Sequence, residues 1–329
     1  MRIGLALPQY DYSVPGESPL TFATLAEHAR RADQLGFASL WLSDHLFLDV
    51  GKYGGGDEPQ GAYEPITTLG ALAAVAPHAR LGTLVICEAL RPPAVLAKGL
   101  ATLDRLCDGR LDVGMGAGWY EPEYRALGMP MPSPGVRIRR LHEACEIVGA
   151  LLGGGDVTYQ GEHYAVVDAL VDPPAIQKPR PPLFIGGKGD RVLATAVAVA
   201  DGWNTCWAWT HDAYRERLDV FERACESASR DPATMWRSVG LYTLVGEDEE
   251  DVAARFERLR TVTPKGVLDG VTLDQWREGR LVGTVEQVRE QVAGWAELGV
   301  ETIIVGPGAL PFQVASLDDL DAIAAALIS

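Results

Sequence analysis

Four short stretches hold the residue types that could do chemistry. In WLSDHLF (41–47), Asp44 and His45 stand side by side, and either could take or give a proton. The plain alternative is a helix cap or a loop hydrogen bond. In VICEALRPP (85–93), Glu88 is a candidate catalytic carboxylate, and Arg91 could pair with it or with a ligand. A surface ion pair explains them equally well. In GMGAGWY (114–120), three glycines stand two apart. That spacing suits close approach of a flat or phosphate-bearing ligand to the backbone, or else a β-bulge. Trp119 and Tyr120 just beyond could wall a planar ring or could simply pack. Finally, GGKGDR (186–191) opens a helix, where backbone N–H groups with Lys188 and Arg191 would hold an anion. Arg191 could instead be solvated surface.

These stretches matter only if the fold gathers them. Short apolar runs alternate with helical patterns along the chain. Strands are expected at 2–7, 38–44, 81–89, 110–116, 183–187, 200–205, 238–246 and 301–306. Ser18 followed by Pro19 reads as a helix start, and Gly36 as its stop. Further helices are expected over 65–76, 92–106, 135–152 and 211–228, then a charged helix, one begun by a Thr284–Gln287 capping box, and a last one. Two segments break the rhythm: 153–182 reads as a hairpin and an extended, proline-rich insertion, and 262–282 as a candidate lid. Eight strands alternating with helices predict one α/β domain over 1–329, a (β/α)8 TIM barrel with insertions. A doubly wound sheet fits less well, because the first βα turn, ALPQYDYSVPG (6–16), is not a dinucleotide fingerprint. Barrel chemistry sits at the C-terminal strand ends. All four stretches fall there.

Composition narrows the partners. The 329 residues carry a formal net charge of −16, with 47% hydrophobic and 22% charged residues. A large core is expected, and binding to nucleic acid or to an anionic membrane is not. Five widely spaced cysteines without a Cys-x-x-Cys pair suit a reducing cytoplasm. The opening MRIGLALPQYDY lacks the long apolar stretch of a secretory signal, and no run reaches membrane-spanning length. The remaining histidines show no metal-ligand spacing, so no metal is expected.

At whole-chain scale, ATLDRLCDGRLDVGMGAGWYEPEYRALG (101–128) resembles the luciferase-like flavin and deazaflavin oxidoreductases. The likeness runs in order through SLWLSDH, LGTLV, PPAVLAKGLATLD, PAIQKPRPPLFIGGKG, ADGWN and VGTVEQVREQVAGWAELGVETIIV. Ser43-Asp44-His45 and IQKPRPPLFIGG lean toward the branch that uses coenzyme F-420, a deazaflavin. The resemblance implies the barrel fold and a cofactor ring in the barrel mouth. It also implies a non-prolyl cis peptide near Leu84–Val85 backing that ring. Asp44 would face the reactive part of the deazaflavin, with Asp44, His45 and Glu88 as candidates for polar catalysis. Gly116, Ala117, Gly118 and Trp119 would lie along the ring or its tail, and Gly186, Gly187, Lys188 and Gly189 would take the phosphate. Hydride would pass between coenzyme F-420 and a small organic substrate, in a cytoplasmic homodimer. Two alternatives stay open: a monooxygenase using reduced FMN and oxygen on the same fold, and a non-catalytic flavin-binding barrel. Some deazaflavin enzymes place a carboxylate directly after the glycines. This chain has Trp119 there, with Glu121 and Glu123 slightly further on.

Overall fold

The computed structural model describes residues 1–328. Eight strands follow one another in chain order: β1 Arg2–Ala6, β2 Ser39–Leu42, β3 Arg80–Thr83, β4 Leu111–Gly116, β5 Leu183–Gly186, β6 Gly202–Trp207, β7 Trp236–Gly246 and β8 Thr302–Gly306. Every adjacent pair is parallel, and β1 closes on β8 with Ile3 opposite Ile303. The fold is the (β/α)8 barrel that the strand count implies. Parallel barrel strands are covered on both faces, so their apolar residues need not alternate with polar ones. LDVGMG in β4 is buried throughout.

One layer of the barrel interior is aromatic. The Phe184 ring lies 5.6 Å from that of Trp41 and 5.1 Å from that of Trp236. The neighbouring strands make room for these rings. A Cβ at Gly82 would enter the Trp41 ring, and one at Gly114 would strike the Thr83 carbonyl oxygen and the Phe184 ring. Gly114, the first of the spaced glycines, therefore serves barrel packing and not a ligand.

Buried carboxylates fasten the opposite end. Asp104 accepts from the Ile176 and Gln177 backbone N–H groups at 2.8 and 3.0 Å and from Gln177 Nε2 at 2.7 Å. It pins the extended segment before β5 to the helix Pro93–Leu106. Arg80 at the start of β3 forms a bidentate pair with Asp112 in β4, its Nη2 at 2.6 Å. These bonds account for the LATLD and IQKP spellings.

Local details depart from the sequence reading in two places. The first helix spans Phe22–Gln34 and is capped by Thr21, not Ser18; the Ser18–Pro19 peptide is cis. Glu17 is the reason: its carboxylate accepts from the Thr21 N–H and the Thr24 hydroxyl, both at 2.7 Å, and so seats the cap three residues later. The third strand is not continuous over 81–89. It stops at Thr83 and resumes as Ile86–Cys87 beside Met115 and Gly116.

Within 153–182, Val157–Gln160 and Ala165–Ala169 pair as an antiparallel hairpin. Within 262–282 lies the short helix Leu273–Arg277, whose Thr272 and Gln275 form a capping box. Leu268 and Trp276 of that segment are buried, the latter against Tyr242 and Phe256.

Gly114→Val is expected to lower the unfolding free energy by about 2–3 kcal/mol, because the obstructing carbonyl cannot move aside. Gly99→Ala, whose Cβ would meet only Ile66 at 3.7 Å on a helix, is expected to be neutral or mildly stabilising. Urea unfolding of both variants checks the contrast.

Candidate active site

A cavity of about 250 Å³ opens at the C-terminal ends of the strands. Its wall on one side is the break in the third strand, where the Leu84–Val85 peptide is cis; Cys206–Trp207 is a second non-prolyl cis peptide. The Val85 side chain lies over the ends of β4 and β5. A Cβ on Gly116 would come within 2.7 Å of Val85 Cγ2, and one on Gly186 within 2.8 Å of its Cγ1. The two glycines are therefore a seat for Val85, and Leu84, Val85, Ile86 and Cys87 present an apolar wall to the cavity. Gly118 has φ +69, a left-handed conformation that glycine adopts without strain, as the chain leaves β4 toward Trp119.

Asp44 holds this wall in place. Its carboxylate is almost fully buried and accepts from the Cys87 backbone N–H at 2.9 Å and from both Nη atoms of Arg91 at 2.7 and 3.0 Å. Arg91 also reaches Glu64 at 2.5 Å, whose other oxygen caps the helix Pro65–Leu72. Burial raises the Asp44 carboxyl above its ordinary value, while Arg91 and the Cys87 N–H oppose that shift. All three donors address the anion, the form that the geometry is built around. Ser43, one residue before, is seated by Gln9, whose side-chain oxygen accepts from the Ser43 N–H at 2.7 Å and its hydroxyl at 2.9 Å. The Tyr10 hydroxyl meets Ser43 Oγ at 2.5 Å.

His45 is differently placed. Its Nδ1 lies 2.9 Å from Glu123 Oε2, and the other oxygen of Glu123 accepts from the Leu46 N–H at 2.5 Å. A carboxylate only accepts, so Nδ1 carries a proton, and in the neutral imidazole Nε2 is the atom that accepts. Trp119 and Tyr120 pack edge-on against the imidazole at 5.7 and 6.0 Å. His45, Glu123 and Trp119 all line the cavity. The result is an oriented base at the edge of an apolar chamber. No metal-holding cluster of His, Cys, Asp and Glu occurs among the described residues.

A family profile described as luciferase-like monooxygenase matches residues 1–302. The chain belongs to the luciferase-like monooxygenase family. An F-420-dependent glucose-6-phosphate dehydrogenase of Microbacterium testaceum is 35% identical over 57% of this chain; the match spans 53% of that protein, about half its length. An F-420-dependent hydroxymycolic acid dehydrogenase of Mycobacterium tuberculosis is 29% identical over 90% of this chain and 79% of its own. An F-420-dependent secondary alcohol dehydrogenase, solved with an F-420–acetone adduct, superposes with a TM-score of 0.78 at 22% identity, over 99% of this chain and 98% of that one. That last likeness is one of fold.

Against this luciferase-like frame, the residues singled out in the sequence divide. Asp44, His45, Leu84, Val85, Gly116, Gly118, Trp119, Gly186 and Gly187 line the cavity, whereas Ala117, Lys188, Gly189 and Glu88 do not. Gly189 is the N-cap of the helix Asp190–Val199 and gives it no side-chain acceptor. Glu88 faces away from the cavity. It accepts from Tyr164 of the hairpin at 2.6 Å, with Arg140 at 3.5 Å, and burial raises its carboxyl above the usual range. Sequence reasoning missed Glu123 as the partner of His45, and also Tyr10, Lys52 and Trp207 on the lining. Glu123 left one signal: an acidic residue in the first turn after the glycines.

Removing Arg91 strands a buried carboxylate. Arg91→Ala is expected to cost about 3–5 kcal/mol of stability at neutral pH. Asp44 titrates higher in the folded than in the unfolded chain, so the native state binds more protons and the loss shrinks as pH falls. Thermal melts at neutral and mildly acid pH check both the size and the sign.

Proposed function

We propose that this chain is a coenzyme F-420-dependent oxidoreductase acting on an alcohol–carbonyl couple, with the substrate at the mouth of the barrel. The carrying observation is the His45–Glu123 pair, an imidazole oriented by a carboxylate at the edge of an apolar chamber. The named relatives support the cofactor. So do the residues present. The Leu84–Cys87 wall suits a flat ring, with Gly116, Gly118 and Trp119 beside it and Ala117 off the lining. At the start of helix Asp190–Val199, Gly186 and Gly187 bring the chain out of β5, the Gly187 N–H already donating to the Asn204 carbonyl at 3.0 Å. Lys188 and Gly189 then offer backbone N–H groups and an ammonium, a donor set that suits a phosphate.

Coenzyme F-420, when bound, supplies the ring carbon that gives or takes a hydride. The protein supplies the rest. His45 Nε2 takes the proton of a substrate hydroxyl during oxidation and returns it during reduction. Glu123 fixes the tautomer and stabilises the imidazolium formed when Nε2 is protonated, the role of a carboxylate behind a catalytic histidine. Asp44 positions the wall through Cys87 and Arg91, its oxygens already engaged by three donors. Glu88 ties the hairpin to the outside of that wall. The homodimer and the cytoplasmic location belong to this reading; the described residues contain no helix long and apolar enough to cross a membrane.

The family's monooxygenase description favours a second reading, in which reduced FMN occupies the same chamber and oxygen is the co-substrate. Titration of the purified protein with coenzyme F-420 and with FMN, followed by tryptophan fluorescence, separates the two. Coenzyme F-420 is expected to bind tighter by about tenfold or more; preference for FMN moves the protein to the oxygen-using branch. His45→Asn is expected to lower kcat by about 10²–10⁴-fold while leaving coenzyme affinity in place. Glu123→Gln is expected to lose about 10²-fold or more, since an amide can donate to Nδ1 and invert the tautomer. Steady-state kinetics beside coenzyme titration reads both; an unchanged kcat in His45→Asn overturns the assignment.

A further inference from the structure

The charged side chains lining the cavity are Asp44, His45, Glu123 and Lys52. Asp44 is neutralised by Arg91, and Glu123 is engaged by His45. Lys52 makes no ion pair and no hydrogen bond to a carboxylate among the described residues. It stands on the single turn Gly51–Tyr53, in the loop that follows β2. Its ammonium rests over the Trp119 ring, 4.0 Å from the centroid, and 5.7 Å from that of Tyr53. These are rings that hold a cation without cancelling its charge. The neighbouring charge is of the same sign: burial first, and then Lys188, push the Lys52 ammonium below its ordinary value. A protein of net charge −16 thus keeps an exposed cation without an ion-pair partner on the lining of an apolar chamber.

Trp119 also fixes where that charge acts. The same ring that carries Lys52 on it packs against the His45 imidazole at 5.7 Å. The cation and the imidazole thus both contact one ring, at the same part of the cavity lining.

We propose that Lys52 is the anion receptor of the substrate site, so that the substrate carries a carboxylate or phosphate close to the carbon whose hydroxyl or carbonyl meets His45. This rests on the oxidoreductase reading above and names its substrate class. An anion completes an ion pair that the fold leaves open, with a charge-assisted hydrogen bond to the ammonium. A neutral alcohol of the same shape leaves Lys52 unpaired. The shared chemistry, an organic anion, could also come from the phosphate of the coenzyme, and the test separates the two sources.

The probes are two matched pairs that differ in the anion: glucose 6-phosphate with glucose, and lactate with 2-propanol. Binding of each is measured by calorimetry on the cofactor-free protein, and turnover on the protein loaded with coenzyme F-420. For at least one pair, the anionic member is expected to bind about tenfold tighter or more. Lys52→Met, which keeps the stem over Trp119, is expected to collapse that ratio, and Lys52→Arg to restore most of it. Coenzyme affinity is expected to be unchanged in Lys52→Met. Equal binding of anionic and neutral members in the wild type, or a ratio untouched by Lys52→Met, overturns the proposal. If the loss falls instead on coenzyme affinity, the anion belongs to the coenzyme and the substrate assignment fails. Anion preference that persists where coenzyme F-420 does not bind sinks the oxidoreductase reading and leaves the receptor standing. Turnover that ignores the anion does the reverse.

Discussion

The site depends on one buried carboxylate. Asp44 leaves β2 into an environment that disfavours charge, and three donors from the turn after β3 hold it there. Each of those bonds runs between two different strand ends. The carboxylate therefore acts as a bracket: it sets how far the Leu84–Cys87 wall stands from the Ser43–His45 segment, and so the width of the chamber between them. The neutralising charge arrives from Arg91 and is shared with Glu64, which in turn caps the next helix. A local helix start, the break in the third strand and the placement of His45 are mechanically one network.

The glycines answer to the same wall. Gly116 and Gly186 are small because Val85 occupies the space above them, and Gly114 because Phe184 does. A spaced-glycine strand end looks, in sequence, like a cradle for a ligand. Here the first object cradled is another part of the chain, and any ligand meets the surface that this arrangement creates. The distinction matters for mutagenesis, since bulk at Gly114 disturbs the barrel and bulk at Gly116 disturbs the wall.

Much of this was legible in the sequence. Periodicity located all eight strands because each is a buried apolar run between clear helical patterns. The end-of-strand rule then placed Asp44 and His45 at the mouth. What escaped depends on directions that spacing does not encode. Glu88 and Asp44 are both acids just past a strand, yet the turn at 84–87 sends Glu88 outward to Tyr164. Glu123 meets His45 across 78 positions of sequence, through the angle of a short helix. Lys52 lies in a glycine-rich loop with no period to follow. The first helix start was displaced because Glu17, outside any cap pattern considered, bonds to Thr21 and Thr24.

The aromatic layer of Trp41, Phe184 and Trp236 has a kinetic meaning. It lies beneath the cavity, one inward-facing position below Gly116 on the same strand, and it stops the barrel from below. The rings thus close the barrel interior beneath the cavity. On the proposed function, a coenzyme against the Val85 wall and a substrate beside His45 and Lys52 share one chamber above this floor, and ordered binding is the kinetic pattern expected of them.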